Sequence, residues 1–252
     1  MPKFFVPPQQ IYDSEILILG NDARHISSSL RMKVGETITI CNMNKRDYEC
    51  IISSIENGMV RAEIISNSPS TTEPEYYIKV YQCLPKGDKL ESIVQKSVEL
   101  GASSIIPVYS SFCVAKPSVK GRDNKDKKNE RLSRIAYEAA EQCGRGIIPT
   151  VHECVNFERA VEIAKNDAIS FICYENERKV SLKKYLSEKF GGELKNKNIS
   201  FFIGPEGGFS KDEIGLAKEN GVTPVGLGER ILRTETASAY VLSALAYLSE
   251  LR

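Results

Sequence analysis

Phe201-Phe202-Ile203-Gly204-Pro205-Glu206-Gly207-Gly208-Phe209-Ser210 runs from an apolar strand through a glycine-rich turn into a helix. Ser210 and Glu213 have the S-x-x-E spacing of a capping box, in which each side chain satisfies the other's backbone N–H. The helix start is therefore set at Ser210. The glycines permit backbone conformations closed to other residues and let a ligand approach main-chain N–H groups closely. In α/β sheets ligands bind at the carboxyl ends of strands, and this turn lies at such an end. The segment is neither G-x-G-x-x-G nor a Walker loop, so the dinucleotide and nucleoside-triphosphate fingerprints are missing. On spacing alone a ligand loop and a purely structural turn both stay open.

A second segment toward the C-terminus repeats the design. It reads Gly226-Leu227-Gly228-Glu229-Arg230-Ile231-Leu232-Arg233-Thr234-Glu235-Thr236-Ala237. An extended stretch, 223–227, enters a glycine turn and then a long helix. Ala237, Tyr240, Val241, Ala244, Leu245 and Leu248 fall at helical spacing and are expected in the core. Leu227, Ile231 and Leu232 suit an apolar slot for an adenine ring whose edge is read by free backbone groups, the usual build of a small-molecule site. Arg233 is expected at the helix start, where the dipole disfavours a cation. A functional charge and a surface salt bridge both account for it.

Upstream, strands and helices alternate. Strands are predicted at 77–84, 104–109, 168–174 and 199–203. Helices are predicted from Asp88 to Gly101, with Leu90, Ile93, Val94 and Val98 on one face, and over 130–143, with Leu132, Ile135, Ala136 and Ala139 on one face. Such alternation implies a mostly parallel sheet covered on both faces. Residues 1–70 read differently. The alternation over 37–41, strand-like runs at 48–55 and 59–65, and the Glu56-Asn57-Gly58 turn predict short strands with tight turns and a small barrel. Residues 67–74, polar with two prolines, read as a linker. Residues 116–128 are Lys-rich without apolar periodicity, and read either as a solvated loop or as an arm that touches phosphates.

The 252 residues allow one large or two modest domains, and 41% hydrophobic content is ordinary for a globular protein. The net charge is only +1, so an RNA partner requires locally grouped basic residues. Seven cysteines without C-x-x-C spacing, and only two histidines, predict no metal site and reduced, mostly packed thiols. The opening residues do not read as a signal peptide, and the apolar runs are too short to span a membrane. A cytoplasmic protein is expected.

GPEGGFS and LGERILRTETA together resemble the signature of the RsmE-type ribosomal RNA uridine-N3 methyltransferases of the SPOUT class. Gln82-Cys83-Leu84-Pro85-Lys86-Gly87-Asp88-Lys89 resembles the opening of that family's catalytic domain. Glu138-Ala139-Ala140-Glu141-Gln142-Cys143-Gly144-Arg145 resembles its helix-end motif, and His25, Leu30-Arg31 and Gly35 its N-terminal pattern. The resemblance covers nearly the whole chain. It implies an α/β SPOUT-type domain with a C-terminal trefoil knot over 73–252, preceded by a small PUA-like β-barrel that binds RNA over 1–72.

The resemblance further implies S-adenosylmethionine (S-adenosyl-L-methionine, SAM) held by Tyr174, Gly204, Pro205, Glu206, Gly207, Leu227, Gly228, Ile231, Leu232, Thr234, Thr236 and Ala237. It implies methylation of uridine N3 in 16S ribosomal RNA of the small subunit, and a homodimer packed through the knot. Arg233 is the candidate that stabilises the uracil anion. Glu206 either engages the base or merely caps N–H groups of the following helix. Arg24, His25, Arg31, Lys33, Lys86 and Arg145 are the expected RNA contacts, with a structural role for His25 left open. A SPOUT enzyme acting on transfer RNA or ribose 2′-OH, and a non-catalytic RNA-binding assembly factor, are the alternatives.

Overall fold

The computed structural model describes residues 2–114, 122–189 and 195–249. The chain divides into two compact units, Met1–Glu73 with Ala140–Ile148, and Pro74–Ala139 with Pro149–Arg252.

The first unit carries five strands: β1 (Lys3–Phe5), β2 (Glu15–Ile18), β3 (Thr37–Cys41), β4 (Arg46–Glu56) and β5 (Met59–Pro69). They form one sheet in the order β1-β3-β4-β5-β2. Asn57 and Gly58, both at positive φ (52° and 75°), make the tight turn that joins β4 to β5. Alternate residues point inward, so Ile38, Ile40, Cys50, Ile52, Val60 and Ala62 build the core with Phe4, Ile16 and Ile18. β5 runs on to Pro69, so part of the expected linker is strand. Polar residues at a sheet's exposed end give no apolar alternation to read. Between β2 and β3, helix α1 (Gly20–Arg24) passes into a π turn, His25–Ser29, with Ala23 and Ile26 buried beneath it.

In the second unit β6 (Tyr77–Cys83), helix α2 (Lys89–Glu99), β7 (Ser104–Tyr109) and the long helix α3 (Arg122–Gln142) come first. Short strands β8 (Thr150–Val151) and β9 (Val155–Asn156) follow, then α4 (Phe157–Ala164), β10 (Ile169–Cys173) and α5 (Leu182–Lys189). The chain continues as β11 (Asn198–Ile203), α6 (Lys211–Glu219), β12 (Thr223–Val225) and α7 (Thr234–Ser249). The sheet order is β12-β10-β11-β6-β7-β8, with β9 also on β7, and each pairing is parallel. Phe171, Ile172, Phe201, Phe202 and Ile203 are buried on both faces, the continuous apolar run that a helix-covered parallel strand requires. Phe202 stacks on Tyr81 at 4.4 Å between ring centroids, and Phe157 packs on Phe202 and Phe209.

Helix α3 starts eight residues before the predicted 130 and takes in residues 122–128 of the Lys-rich stretch. Apolar periodicity reports a buried face, and a helix segment without one leaves no such trace. Residues 116–121 lie outside the described residues. On α7, Val241 and Leu245 are buried as expected, whereas Tyr240 and Leu248 are 44% and 50% exposed. Among the described residues no helix is long and apolar enough to cross a membrane, and no cluster of His, Cys, Asp or Glu is set to hold a metal.

Candidate active site

Because β12, β10 and β11 are parallel neighbours, their carboxyl ends lie side by side, with Cys173 opposite Val225 and Ile172 opposite Phe202. The three loops leaving them surround one cleft of about 440 Å³. Cys173, Tyr174, Glu175 and Arg178 come from the β10 loop. Residues 203–208 come from the first glycine turn, and residues 227–234 with Ala237 from the second; Lys89 reaches in from α2. Of the residues that the resemblance implies, the structure brings Tyr174, Gly204, Pro205, Glu206, Gly207, Leu227, Gly228, Ile231, Leu232, Arg233, Thr234 and Ala237 around one space. Thr236 is the exception. It is exposed and does not line the cleft.

The two glycine turns are tied together by a buried relay. The Gln82 side-chain amide donates to Thr234 Oγ1 at 2.9 Å, and Thr234 Oγ1 donates to the Gly204 carbonyl at 2.8 Å. Gln82 is wholly buried, so this relay fixes the start of α7 against the first turn. The capping box forms as predicted, with Ser210 Oγ accepting from the Glu213 N–H at 3.1 Å and Glu213 accepting from the Ser210 N–H at 2.8 Å. The buried Glu213 also accepts from the Ser111 N–H at 2.8 Å, which pins the turn after β7 to the same loop. Gly226 is hemmed by the Glu177 carbonyl, so no larger residue fits where β12 turns into the cleft.

The second turn presents backbone donors and apolar side chains to the same cleft. Among the described residues, the N–H groups of residues 227–233 find no acceptor in the protein. They lie along the wall of a partly apolar cleft, free to donate to a ring nitrogen. Ile231 is 86% exposed and stands on the rim, so Leu227 and Leu232 supply the apolar wall.

The charges sort into used and free. Lys89 Nζ lies 2.8 Å from Glu206 and 3.5 Å from Glu235, and Arg178 lies 3.2 Å from Glu229. Arg233 and Arg230 line the cleft with no carboxylate partner among the described residues. Glu206 does not cap the helix that follows it. It accepts from Lys89 and from the Lys86 N–H at 3.3 Å. Partial burial opposes its ionisation, but the Lys89 ammonium and the Lys86 N–H more than offset that, and its pKa lies below the ordinary carboxylate value. Its influence is thus fully in place at neutral pH and fades only as pH falls through that lowered pKa. We expect kcat to show no limb from Glu206 between about pH 6 and 8, and the same profile for Glu206→Gln there; a base that titrated in this range would give a slope of about one in log kcat.

The RNA candidates divide. Arg24, His25, Arg31 and Lys33 are all exposed around the π turn of the first unit, and Lys86 is exposed in the second. Unusual turns of this kind recur at functional sites. Arg145 is a correction. It is 3% exposed and bound to Glu73, Nε to Oε1 at 2.7 Å and Nη2 to Oε2 at 2.8 Å. A guanidinium so held presents nothing to an RNA phosphate, and residues 140–148 pack with the first unit.

Comparison with known proteins decides the family. A family model described as RNA methyltransferase domain matches residues 72–246, and one described as RNA methyltransferase PUA domain matches residues 18–65. The ribosomal RNA small subunit methyltransferase E of Bacillus subtilis is 35% identical over 100% of this chain and 98% of its own length. The chain belongs to this methyltransferase family. The fold agrees with the Neisseria gonorrhoeae small subunit methyltransferase E bound to S-adenosyl methionine, at a TM-score of 0.85 and 29% identity, covering 99% of this chain and 98% of that one. It also agrees with a Legionella pneumophila methyltransferase in complex with SAM, at a TM-score of 0.82 and 28% identity, covering 98% and 97%. Glu175 lines the cleft beside Tyr174, on the third loop that the resemblance implies. Lys89 and Arg178 are cleft residues that sequence reasoning missed. Arg178 follows Tyr174 on the same loop, and Lys89 lies in the quoted QCLPKGDK motif, so the signal was present but had no partner assigned to it.

Proposed function

We propose that this chain is a SAM-dependent methyltransferase that modifies N3 of a uridine in 16S ribosomal RNA of the small subunit. The observation that carries this reading is the single cleft made by two glycine turns, with unsatisfied N–H groups on one wall and an unpaired arginine at its mouth. SAM, when bound, supplies an electrophilic methyl group. Leu227, Leu232 and Ala237 would cover the adenine face, with the free N–H groups of residues 227–233 reading its edge, while the Gly204–Gly208 backbone and Tyr174 line the rest.

Uracil N3 carries a weakly acidic proton and must lose it, here to solvent water, to become a nucleophile. It also lies on the Watson–Crick edge, so the base must be unpaired or turned out. The chain's tasks are to place the base and to stabilise its developing negative charge. Arg233 performs the second. Glu206, already held by Lys89 and a backbone N–H, orders the first turn, and its low basicity argues against a role as general base. Arg24, His25, Arg31 and Lys33 on the first unit, and Lys86 on the second, bind RNA phosphates in a salt-dependent way.

β11 lies between β10 and β6 although it follows both in sequence, an ordering that supports the trefoil knot implied by the motifs. The exposed Tyr240, Tyr247 and Leu248 on α7 support a homodimer packed through this region. Seven free cysteines suit the reducing cytoplasm. The test is methylation of purified small subunits with labelled SAM, followed by mapping of the modified nucleotide. Label at N3 of one uridine is the expected result, and label on ribose or only on transfer RNA would overturn the reading.

A further inference from the structure

Gly207 differs from its neighbour Gly208. Gly208 has a positive φ of 69°, which favours glycine by itself, whereas Gly207 does not lie in that region. What Gly207 provides is space. A Cβ there would stand 2.9 Å from the Phe112 Cβ, nearer than side-chain carbons approach. The absent side chain lets the Phe112 turn close directly on the loop that carries Glu206.

That turn is held rigidly. The Ser111 N–H is bound by the buried Glu213 carboxylate, which also binds the Ser210 N–H, so one group clamps the Phe112 turn and the helix start after the glycine loop. Cys113 N–H donates to the Ser110 carbonyl at 3.1 Å, closing the turn, and Cys113 is buried. Phe112 itself is 49% exposed. A large apolar side chain is thus fixed at its root against Gly207, itself a cleft residue, and about half of it is open to solvent.

Aromatic rings offered in this way stack the faces of unpaired nucleobases, and do so without regard to base sequence. We infer that Phe112 is a stacking platform for a base turned out of the RNA, seated beside the glycine loop of the cleft that Arg233 lines. This rests on the methyltransferase reading for its substrate. The platform would lower the free energy of the extruded base, which otherwise has lost its stacking partners.

The test uses the full-length protein, with small subunits as substrate. Phe112→Ala and Phe112→Leu are compared with Phe112→Tyr and Phe112→Trp. Leucine keeps the apolar contact with Gly207 and loses the aromatic face. We expect Ala and Leu to raise KM for small subunits, or the dissociation constant measured in the presence of S-adenosylhomocysteine, by roughly tenfold or more, a loss in the range of one base stack. SAM affinity should stay within about twofold, and Tyr and Trp should restore wild-type values. Wild-type efficiency in Phe112→Leu, or failure of Tyr and Trp to rescue, would overturn the platform. A wild-type chain that binds subunits but transfers no methyl group would instead overturn the methyltransferase reading, and the binding comparison would still judge Phe112.

Discussion

Alanine at Arg233 is expected to lower kcat for methyl transfer by about a hundredfold to a thousandfold, the loss seen when one preorganised charge-stabilising group is removed. SAM affinity should change by less than about threefold, since the adenine-facing wall consists of backbone N–H groups and leucines. The expectation follows from how the charges are arranged. Lys89 and Arg178 are engaged by carboxylates, and a paired cation has less potential left for a substrate anion. Arg233 has no such partner among the described residues, and it is rooted at the first position before α7 by the Gln82–Thr234–Gly204 relay. Its cost at a helix N-terminus, where the dipole repels a cation, is about 0.3–1 kcal/mol, small beside the rate effect assigned to it. Arg230→Ala serves as the comparison, and should leave kcat within about threefold if Arg233 is the group that matters. Single-turnover rates with saturating SAM separate the two. If SAM affinity collapses in a folded Arg233→Ala chain, the residue holds the cofactor and the assignment is wrong.

The largest stability effect is expected in the first unit. Glu73→Ala removes the carboxylate that compensates Arg145. Both side chains are almost fully buried, at 5% and 3% exposure, and Glu73 also accepts from the Gly146 N–H at 2.7 Å. Breaking a buried pair from one side strands a charge in a poorly solvated place, and costs about 3–5 kcal/mol. Thermal unfolding should show the corresponding transition lowered by on the order of 10 °C. Two compact units need not unfold together, so the earliest transition is the one to compare. An unchanged midpoint would mean that Arg145 is solvated in practice and open to RNA after all.

Much of the site was readable because its signals are local. A capping box, a glycine turn and an apolar strand each occupy a few adjacent residues, and residues 201–213 contain all three. The sequence could also place both turns at strand ends, and parallel pairing of β10, β11 and β12 then made them neighbours. The errors share one cause, that pattern reports only a residue's own neighbourhood. Arg145 looked like a surface cation because its partner, Glu73, lies 72 positions away. Residues 122–128 looked like a loop because a helix segment with no apolar face shows no period. Tyr240 and Leu248 have core spacing yet stand exposed, since spacing tells which residues share a face and not what covers it. Phe112 carried no signal at all, because its meaning lies in its contact with Gly207.

Calorimetric titration of the purified protein with SAM tests the pocket on which everything above depends. Binding of one SAM per chain is predicted, weakened strongly by Gly226→Val, whose side chain would meet the Glu177 carbonyl and push the second turn out of place. A correctly folded wild-type chain that takes up no SAM, or a Gly226→Val chain that binds it as tightly as the parent, would contradict the account.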